Sequence, residues 1–254
     1  MNSNKVVFLN AAGLQLSARL EMPSDNSPHA FAVFAHCFTC NKNLTAVRNI
    51  GKALTANGIA VLRFDFTGLG ESEGDFSKTN FSSNVDDLVY AAKFLEEEYQ
   101  APKILIGHSL GGAAVVFASS MIPSIQAVAT IGAPSHPDHV QFLFHDEVDE
   151  INERGEAELT IGGRPFKIKK QFLDDINSKN MSNKLKAMRL PILVSHSPQD
   201  TTVGIENAAE IYNSAWHPKS FISLDGADHL LTDRKDSIYV GVMIATWASR
   251  YLKP

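Results

Sequence analysis

The chain has 254 residues, 44% of them hydrophobic, enough for one large α/β domain. A formal net charge of −5 leaves no basic footprint, which argues against nucleic acid or an anionic membrane as partner. No apolar run reaches the roughly 18 residues of a membrane span, the N-terminus lacks a signal-peptide core, and the two cysteines cannot build a disulfide framework; the expected compartment is the cytoplasm.

Residues 6–9 and 14–20 alternate around Asn10-Ala11-Ala12-Gly13 and predict an antiparallel hairpin. After a polar loop, 31–35 form a continuous apolar strand, followed by His36-Cys37-Phe38-Thr39-Cys40-Asn41-Lys42. Residues 45–57 carry Val47, Ile50, Ala53 and Leu54 at helical spacing and stop at Gly58, a residue suited to a helix C-terminus. A strand over 59–64 leads into the turn-rich loop 65–74, and a helix over 81–99 follows, with Ser82 or Ser83 as its cap. Strand 103–106 runs through Gly107-His108-Ser109-Leu110-Gly111 into a helix over 110–121, and strand 127–131 ends at Gly132-Ala133-Pro134. This regular alternation implies a parallel sheet with helices on both faces.

The alternation breaks over about 135–189. That segment holds an acidic helical stretch (139–154), a hairpin (157–161 and 165–168) turning on Gly162-Gly163, and a second helical piece (170–177). It is too short for a core of its own. It is expected to lie over the mouth of the site as an insertion, so that 1–254 form a single domain. Residues 191–194 restore the sheet, 205–215 form a helix, 220–224 a last strand and 238–252 an amphipathic closing helix.

Gly107-His108-Ser109-Leu110-Gly111 sits between strand and helix, where a sharp turn projects a Ser hydroxyl above the sheet. Ligands of open α/β sheets bind beyond the carboxyl ends of the strands, and two further strand ends carry chemistry. Asp200 follows the strand 191–194, and His229 follows the strand 220–224, giving the order Ser, Asp, His. A Ser hydroxyl needs a base to take its proton; imidazole titrates near neutrality, and a carboxylate holds its tautomer. Asp200 also reads as an Asx-turn or helix cap, and Asp225 and Asp228 compete for the acid role. The expected oxyanion donors are the backbone N–H groups of Leu110 and Phe38. His36 and His108 read as packed loop residues, and Asp65, Gly68 and Gly70 as turn formers beneath the site. Phe142, Leu143, Phe144, Phe166 and Phe172 either line an acyl pocket or pack the insertion onto the body, with packing the more frequent outcome. Residues 147–158 read as a solvated acidic face.

These motifs resemble the α/β-hydrolase fold family along nearly the whole chain: the entry hairpin, the His36-x-Phe38 loop, Arg63-Phe-Asp-Phe-Thr-Gly-Leu-Gly-Glu-Ser72, the Ser109 elbow, the Asp200 loop and Asp228-His229. The resemblance implies a mostly parallel eight-stranded sheet with helices on both faces and a small cap. It also implies hydrolysis of small to medium carboxylic esters through an acyl-enzyme, with no cofactor or metal. His36-Cys-Phe-Thr-Cys40 and Asn80-Phe-Ser-Ser-Asn84 are similar to the hydrolase domain of bacterial proteins that carry a following OsmC-like peroxidase domain. This implies an OsmC-like partner domain, which the 254 residues do not include. The cap is similar to that of cinnamoyl and feruloyl esterases. Cys37 stands where many relatives have Gly, a departure that bears on the aim of the Phe38 N–H.

The same triad serves thioesterases, amidases and carbon–carbon bond hydrolases, which the sequence does not separate; a monomer or a homodimer is expected. Cys37-x-x-Cys40 has the spacing of thioredoxin-like redox motifs. Because its loop also serves the oxyanion hole, two packed thiols are the first expectation and a redox-linked role is the alternative. No second Cys/His pair stands at zinc-ligand spacing.

Overall fold

A computed structural model of the chain describes residues 2–253. The strands are β1 (Asn2–Leu9), β2 (Gln15–Met22), β3 (Ala30–Ala35), β4 (Ile59–Phe64), β5 (Ile104–His108), β6 (Ala127–Ile131), β7 (Glu156–Ile161), β8 (Arg164–Lys169), β9 (Ile192–His196) and β10 (Lys219–Ser223). Strands β7 and β8 pair only with each other; the other eight form one sheet in the order β1-β2-β4-β3-β5-β6-β9-β10. The hairpin β1–β2 is antiparallel and joins β4 antiparallel, while the remaining neighbours run parallel. Every residue of β3, β4, β5, β6 and β9 is buried, which is why these segments read as unbroken apolar runs rather than alternating ones.

The helices are α1 (Thr45–Ala56), α2 (Phe81–Glu98), α3 (Leu110–Ala118), α4 (Val148–Arg154), α5 (Lys170–Asn177), α6 (Met181–Ala187), α7 (Glu206–Ser214) and α8 (Arg234–Ser249). They divide between two cores. One face of the sheet packs on α1 and α8 through Val47, Ile50, Leu54, Val240 and Ile244. The other packs on α2, α3 and α7 and continues into the segment between β6 and β9 through Phe144, Phe172 and Ile176. Among the described residues no helix is long and apolar enough to cross a membrane.

Several boundaries differ from the sequence expectation for identifiable reasons. Helix α2 is capped by Asn80, not by Ser82 or Ser83. The Asn80 side chain accepts the Ser83 N–H at 2.9 Å while the Ser83 hydroxyl accepts the Asn80 N–H at 2.9 Å, a reciprocal capping box. Helix α8 starts at Arg234 rather than 238 because Asp233 accepts the Lys235 N–H and caps it. The stretch expected as one helix over 139–154 is a 3₁₀ segment, Pro137–Glu147, broken at Phe144 (φ −151°, ψ 37°), followed by α4. Helix α6 was not expected; only Met181 and Leu185 are buried on it, one turn apart, too sparse a pattern to register.

Candidate active site

Ser109 stands between β5 and α3 with φ 56° and ψ −128°, a conformation that side-chain-bearing residues rarely adopt. Its N–H is tied to the Ile131 carbonyl at 2.8 Å, so the strained turn is held from the neighbouring strand. The tightness depends on Gly111. A Cβ there would stand 2.5 Å from the carbonyl oxygens of both Ala35 and His36, so α3 packs its backbone directly on the end of β3.

The loops after β9 and β10 bring Asp200 and His229 to this turn. The His229 Nδ1–H donates to Asp200 Oδ2 at 2.7 Å, and the Ser109 hydroxyl donates to His229 Nε2 at 3.0 Å. The other Asp200 oxygen accepts the N–H groups of Thr202 and Val203 at 2.9 Å each. The turn-forming and imidazole-orienting roles are thus divided between the two oxygens of one carboxylate. Burial pushes the Asp200 carboxyl up, but the His229 hydrogen bond and the two amides outweigh it and hold it below the usual range. Asp225 and Asp228 bond Ser223 and Thr232 respectively and not the His229 ring.

Two further histidines brace this chain. His108 is buried and donates from Nε2 to the His229 carbonyl at 2.7 Å, fixing the backbone that carries the imidazole. Burial, and then the neighbouring His229, lower the His108 pKa to about 3, so it stays neutral. His196 is fully buried, donates to the Val203 carbonyl at 2.8 Å and lies 3.6 Å from Asp200 Oδ2. Burial lowers its pKa as well. His196 was not singled out from the sequence; its position at the end of β9, four residues before Asp200, was the available signal.

Phe38 and Leu110 line one cavity with Ser109 and His229, of about 430 Å³. The Leu110 N–H opens a helix and has no intrahelical acceptor there. The Phe38 N–H has no acceptor among the described residues. The Phe38 ring is anchored elsewhere, its centroid 5.3 Å from that of Phe172, 5.7 Å from Phe76 and 6.3 Å from Phe144. Of the apolar residues in the insertion, Phe142 and Leu143 line the cavity, Phe144 and Phe172 are buried in the packing beneath, and Phe166 meets Phe76 edge to face. His36 is buried against Phe66, and burial lowers its pKa.

The cysteines correct the expectation of two packed thiols: Cys37 and Cys40 are bonded to each other, Cα 5.3 Å apart. The physical reason is the turn between them. Cys40 N–H donates to the Cys37 carbonyl at 3.1 Å and Thr39 takes φ 58°, which turns the two side chains toward each other. Beyond the turn the loop is pinned by buried charges. The Lys42 N–H and Nζ donate to Asp65 at 2.6 and 2.5 Å, and Nζ also reaches Glu71 at 3.0 Å. Arg63 donates to the Lys42 carbonyl and pairs with Glu21 at 2.7 Å. Above the turn, Arg164 of β8 donates to the Thr39 carbonyl and also lines the cavity. Neither the Lys42–Asp65 pin nor Arg164 was read from the sequence as part of the site; Asp65 was read as a turn former, and it is fully buried.

A family model described as serine aminopeptidase, S33, matches residues 26–148. The solved esterase domain of a Rhodothermus marinus protein is 49% identical, covers 99% of each chain and superposes with a TM-score of 0.81. Est1E from Butyrivibrio proteoclasticus, solved with ferulic acid, shares the fold at 19% identity and TM-score 0.79, over 97% of this chain and 99% of its own. The mitochondrial palmitoyl-protein thioesterase ABHD10 of Mus musculus is 24% identical over 199 residues, 75% of this chain. The Rattus norvegicus protein is 30% identical over 122 residues, 46% of this chain. The matches span 65% and 39% of those two curated relatives' own lengths.

Proposed function

The chain belongs to the α/β-hydrolase family as an esterase-type hydrolase, and on that premise we propose that it cleaves small to medium carboxylic esters through an acyl-enzyme on Ser109. The observation that carries this reading is the hydrogen-bonded series Asp200–His229–Ser109 ending in a largely apolar cavity.

In this reading the ester carbonyl carbon lies against Ser109 Oγ with its oxygen toward the N–H groups of Phe38 and Leu110. His229 Nε2 takes the hydroxyl proton as the C–O bond forms, and Asp200 stabilises the imidazolium. The oxyanion is held by the two N–H donors. The imidazolium then protonates the leaving alcohol, and water repeats the sequence to release the acid. His108 and His196, both neutral, keep His229 and Asp200 in place without competing for the proton.

A thioester reading is favoured by one specific observation, the similarity to ABHD10, a palmitoyl-protein thioesterase. The chemistry needs the same groups, and the exposed apolar side chains of Phe142, Leu143 and Leu230 around the cavity suit an acyl chain. The deciding experiment measures p-nitrophenyl acetate and butyrate, methyl ferulate, a palmitoyl thioester and an aryl amide against wild type and Ser109→Ala. Ester turnover that collapses in the variant is expected. Turnover surviving in the variant sinks the assignment, and a thioester preference of 100-fold or more in kcat/KM moves the substrate class.

A further inference from the structure

Cys37 and Cys40 flank Phe38, the residue whose N–H is free to face the cavity, and Thr39, which is buried in a left-handed conformation unusual for a β-branched residue. Their bond closes a ring of only four residues, far too small to act as a staple for the fold as a whole. Its effect is therefore local: it holds the turn that aims Phe38. The rest of the loop does not depend on it, because Lys42 is fixed to Asp65, and Arg63 to the Lys42 carbonyl, immediately downstream. Both cysteines line the cavity; Cys37 is buried and Cys40 is partly exposed, so a reductant can reach the pair through the substrate's own entrance.

We propose that Cys37 and Cys40 are a thiol–disulfide exchange site, reduced by small dithiols, whose oxidised form holds the oxyanion turn in its active geometry. This rests on the reading of Phe38 as an oxyanion donor. In the exchange, a thiolate of the dithiol attacks Cys40 Sγ, forming a mixed disulfide. The Cys37–Cys40 bond breaks, and Cys37 leaves as a thiolate that takes a proton from water. The second thiol of the reductant then attacks the mixed disulfide, releasing Cys40 as a thiol and the reductant as a cyclic disulfide. Two electrons and two protons pass to the protein, and the dithiol is oxidised. Arg164, donating to the Thr39 carbonyl between the two cysteines, puts a positive charge on the turn that carries the thiolate. With the ring open, Thr39 is free to leave the left-handed region, and the Phe38 N–H loses its fixed aim.

The test equilibrates the full chain in mixtures of reduced and oxidised dithiothreitol, counts free thiols, and measures p-nitrophenyl butyrate kinetics and hydrogen exchange of the 36–44 peptide on the same samples. The chain with no free thiol should be the fast form. The chain with two free thiols should lose about 10- to 100-fold in kcat, with KM within about threefold, as befits a donor misaimed rather than a pocket destroyed. Exchange at 37–41 should accelerate on reduction while the rest of the molecule is unchanged. The Cys37→Ser/Cys40→Ser double variant should match the reduced form and ignore the redox buffer. Equal kcat at zero and two thiols overturns the proposal, as does a folded chain whose thiol count stays at zero in excess dithiothreitol. If wild type cleaves no ester in either state, the proposed function has failed on its own. The exchange data then decide the switch: unchanged 37–41 amides overturn it.

Discussion

Gly111→Ala separates backbone contact from helix propensity, because the two predict opposite signs. Gly111 is the second residue of α3 and has no positive φ, so on propensity alone Ala should stabilise it by up to about 1 kcal/mol. The structure predicts the reverse. A Cβ at 111 stands 2.5 Å from the Ala35 and His36 carbonyl oxygens, about 1 Å inside ordinary contact. Both neighbours are backbone, so neither can swing aside as a side chain would, and α3 must back away from the end of β3. Overpacking of this kind costs about 1–3 kcal/mol. The same displacement moves Leu110, the first residue of α3, and Ser109, the turn residue before it, away from Phe38, on the loop leaving β3. Misplacement of about 1 Å costs on the order of 100-fold in rate. The expected result is a Tm lower by several degrees, kcat down roughly 30- to 300-fold and KM little changed. Thermal melts and steady-state kinetics on p-nitrophenyl butyrate read this directly, with Gly155→Ala as the control. Gly155 has φ 85° and nothing within 4 Å of its Cβ position, so that variant should lose stability through backbone strain alone and keep its activity. A Gly111→Ala protein that melts higher than wild type and turns over normally would refute the close-approach reasoning.

Three other outcomes follow from the geometry. Asp200→Asn keeps the amide contacts to Thr202 and Val203 but removes the carboxylate facing His229 Nδ1, and should lower kcat about 10⁴-fold with little change in Tm; a drop of less than tenfold would dismiss Asp200 as the acid. Asp65→Asn leaves the buried Lys42 ammonium with only Glu71, whose side chain is 54% exposed. It should destabilise the protein by about 3 kcal/mol, measurable by urea unfolding, and lower kcat by loosening the loop that carries Phe38. Asp87 is buried, accepting from the Thr67 N–H and hydroxyl and from Asn10, and burial raises its pKa from 3.8 to about 6. The native state therefore takes up this proton at a higher pH than the unfolded chain does, so the Asp87 contribution favours folding more as pH falls from about 7 to about 4, by up to about 3 kcal/mol. Asp87→Asn should remove that contribution, and identical stability–pH profiles for the two proteins would count against it.

The parts of the site legible in the sequence are those fixed by topology. Ser109 and Asp200 follow the fully buried strands β5 and β9, and His229 follows the half-exposed edge strand β10, so a parallel sheet delivers all three to one edge, and the structure brings them into a single hydrogen-bonded series. What was not legible depends on conformation or on distant pairing. Cys-x-x-Cys spacing is the same whether the sulfurs meet or diverge; the outcome rests on Thr39 taking φ 58°. Lys42 meets Asp65 across 23 residues and Arg63 meets Glu21 across 42, partnerships that no periodicity announces. The apolar residues of the insertion could not be told apart in the sequence but have two fates, Phe142 and Leu143 lining the cavity and Phe144 and Phe172 turned into the packing.

The Phe38 ring lies between Phe172, Phe76 and Phe144, two of which belong to the segment between β6 and β9, while the residue also lines the cavity and its backbone N–H has no acceptor among the described residues. On the proposed mechanism one residue is a wedge at one end and a donor at the other. That mechanism predicts that substrate range and chemical rate are coupled in this protein. A graft or directed-evolution library that reshapes the acyl pocket by repacking residues 137–187 also moves the wedge, and its products should differ in kcat as much as in KM. Changes at the rim, at Phe142, Leu143 and Leu230, which line the cavity and are exposed, should alter selectivity with the least loss of rate.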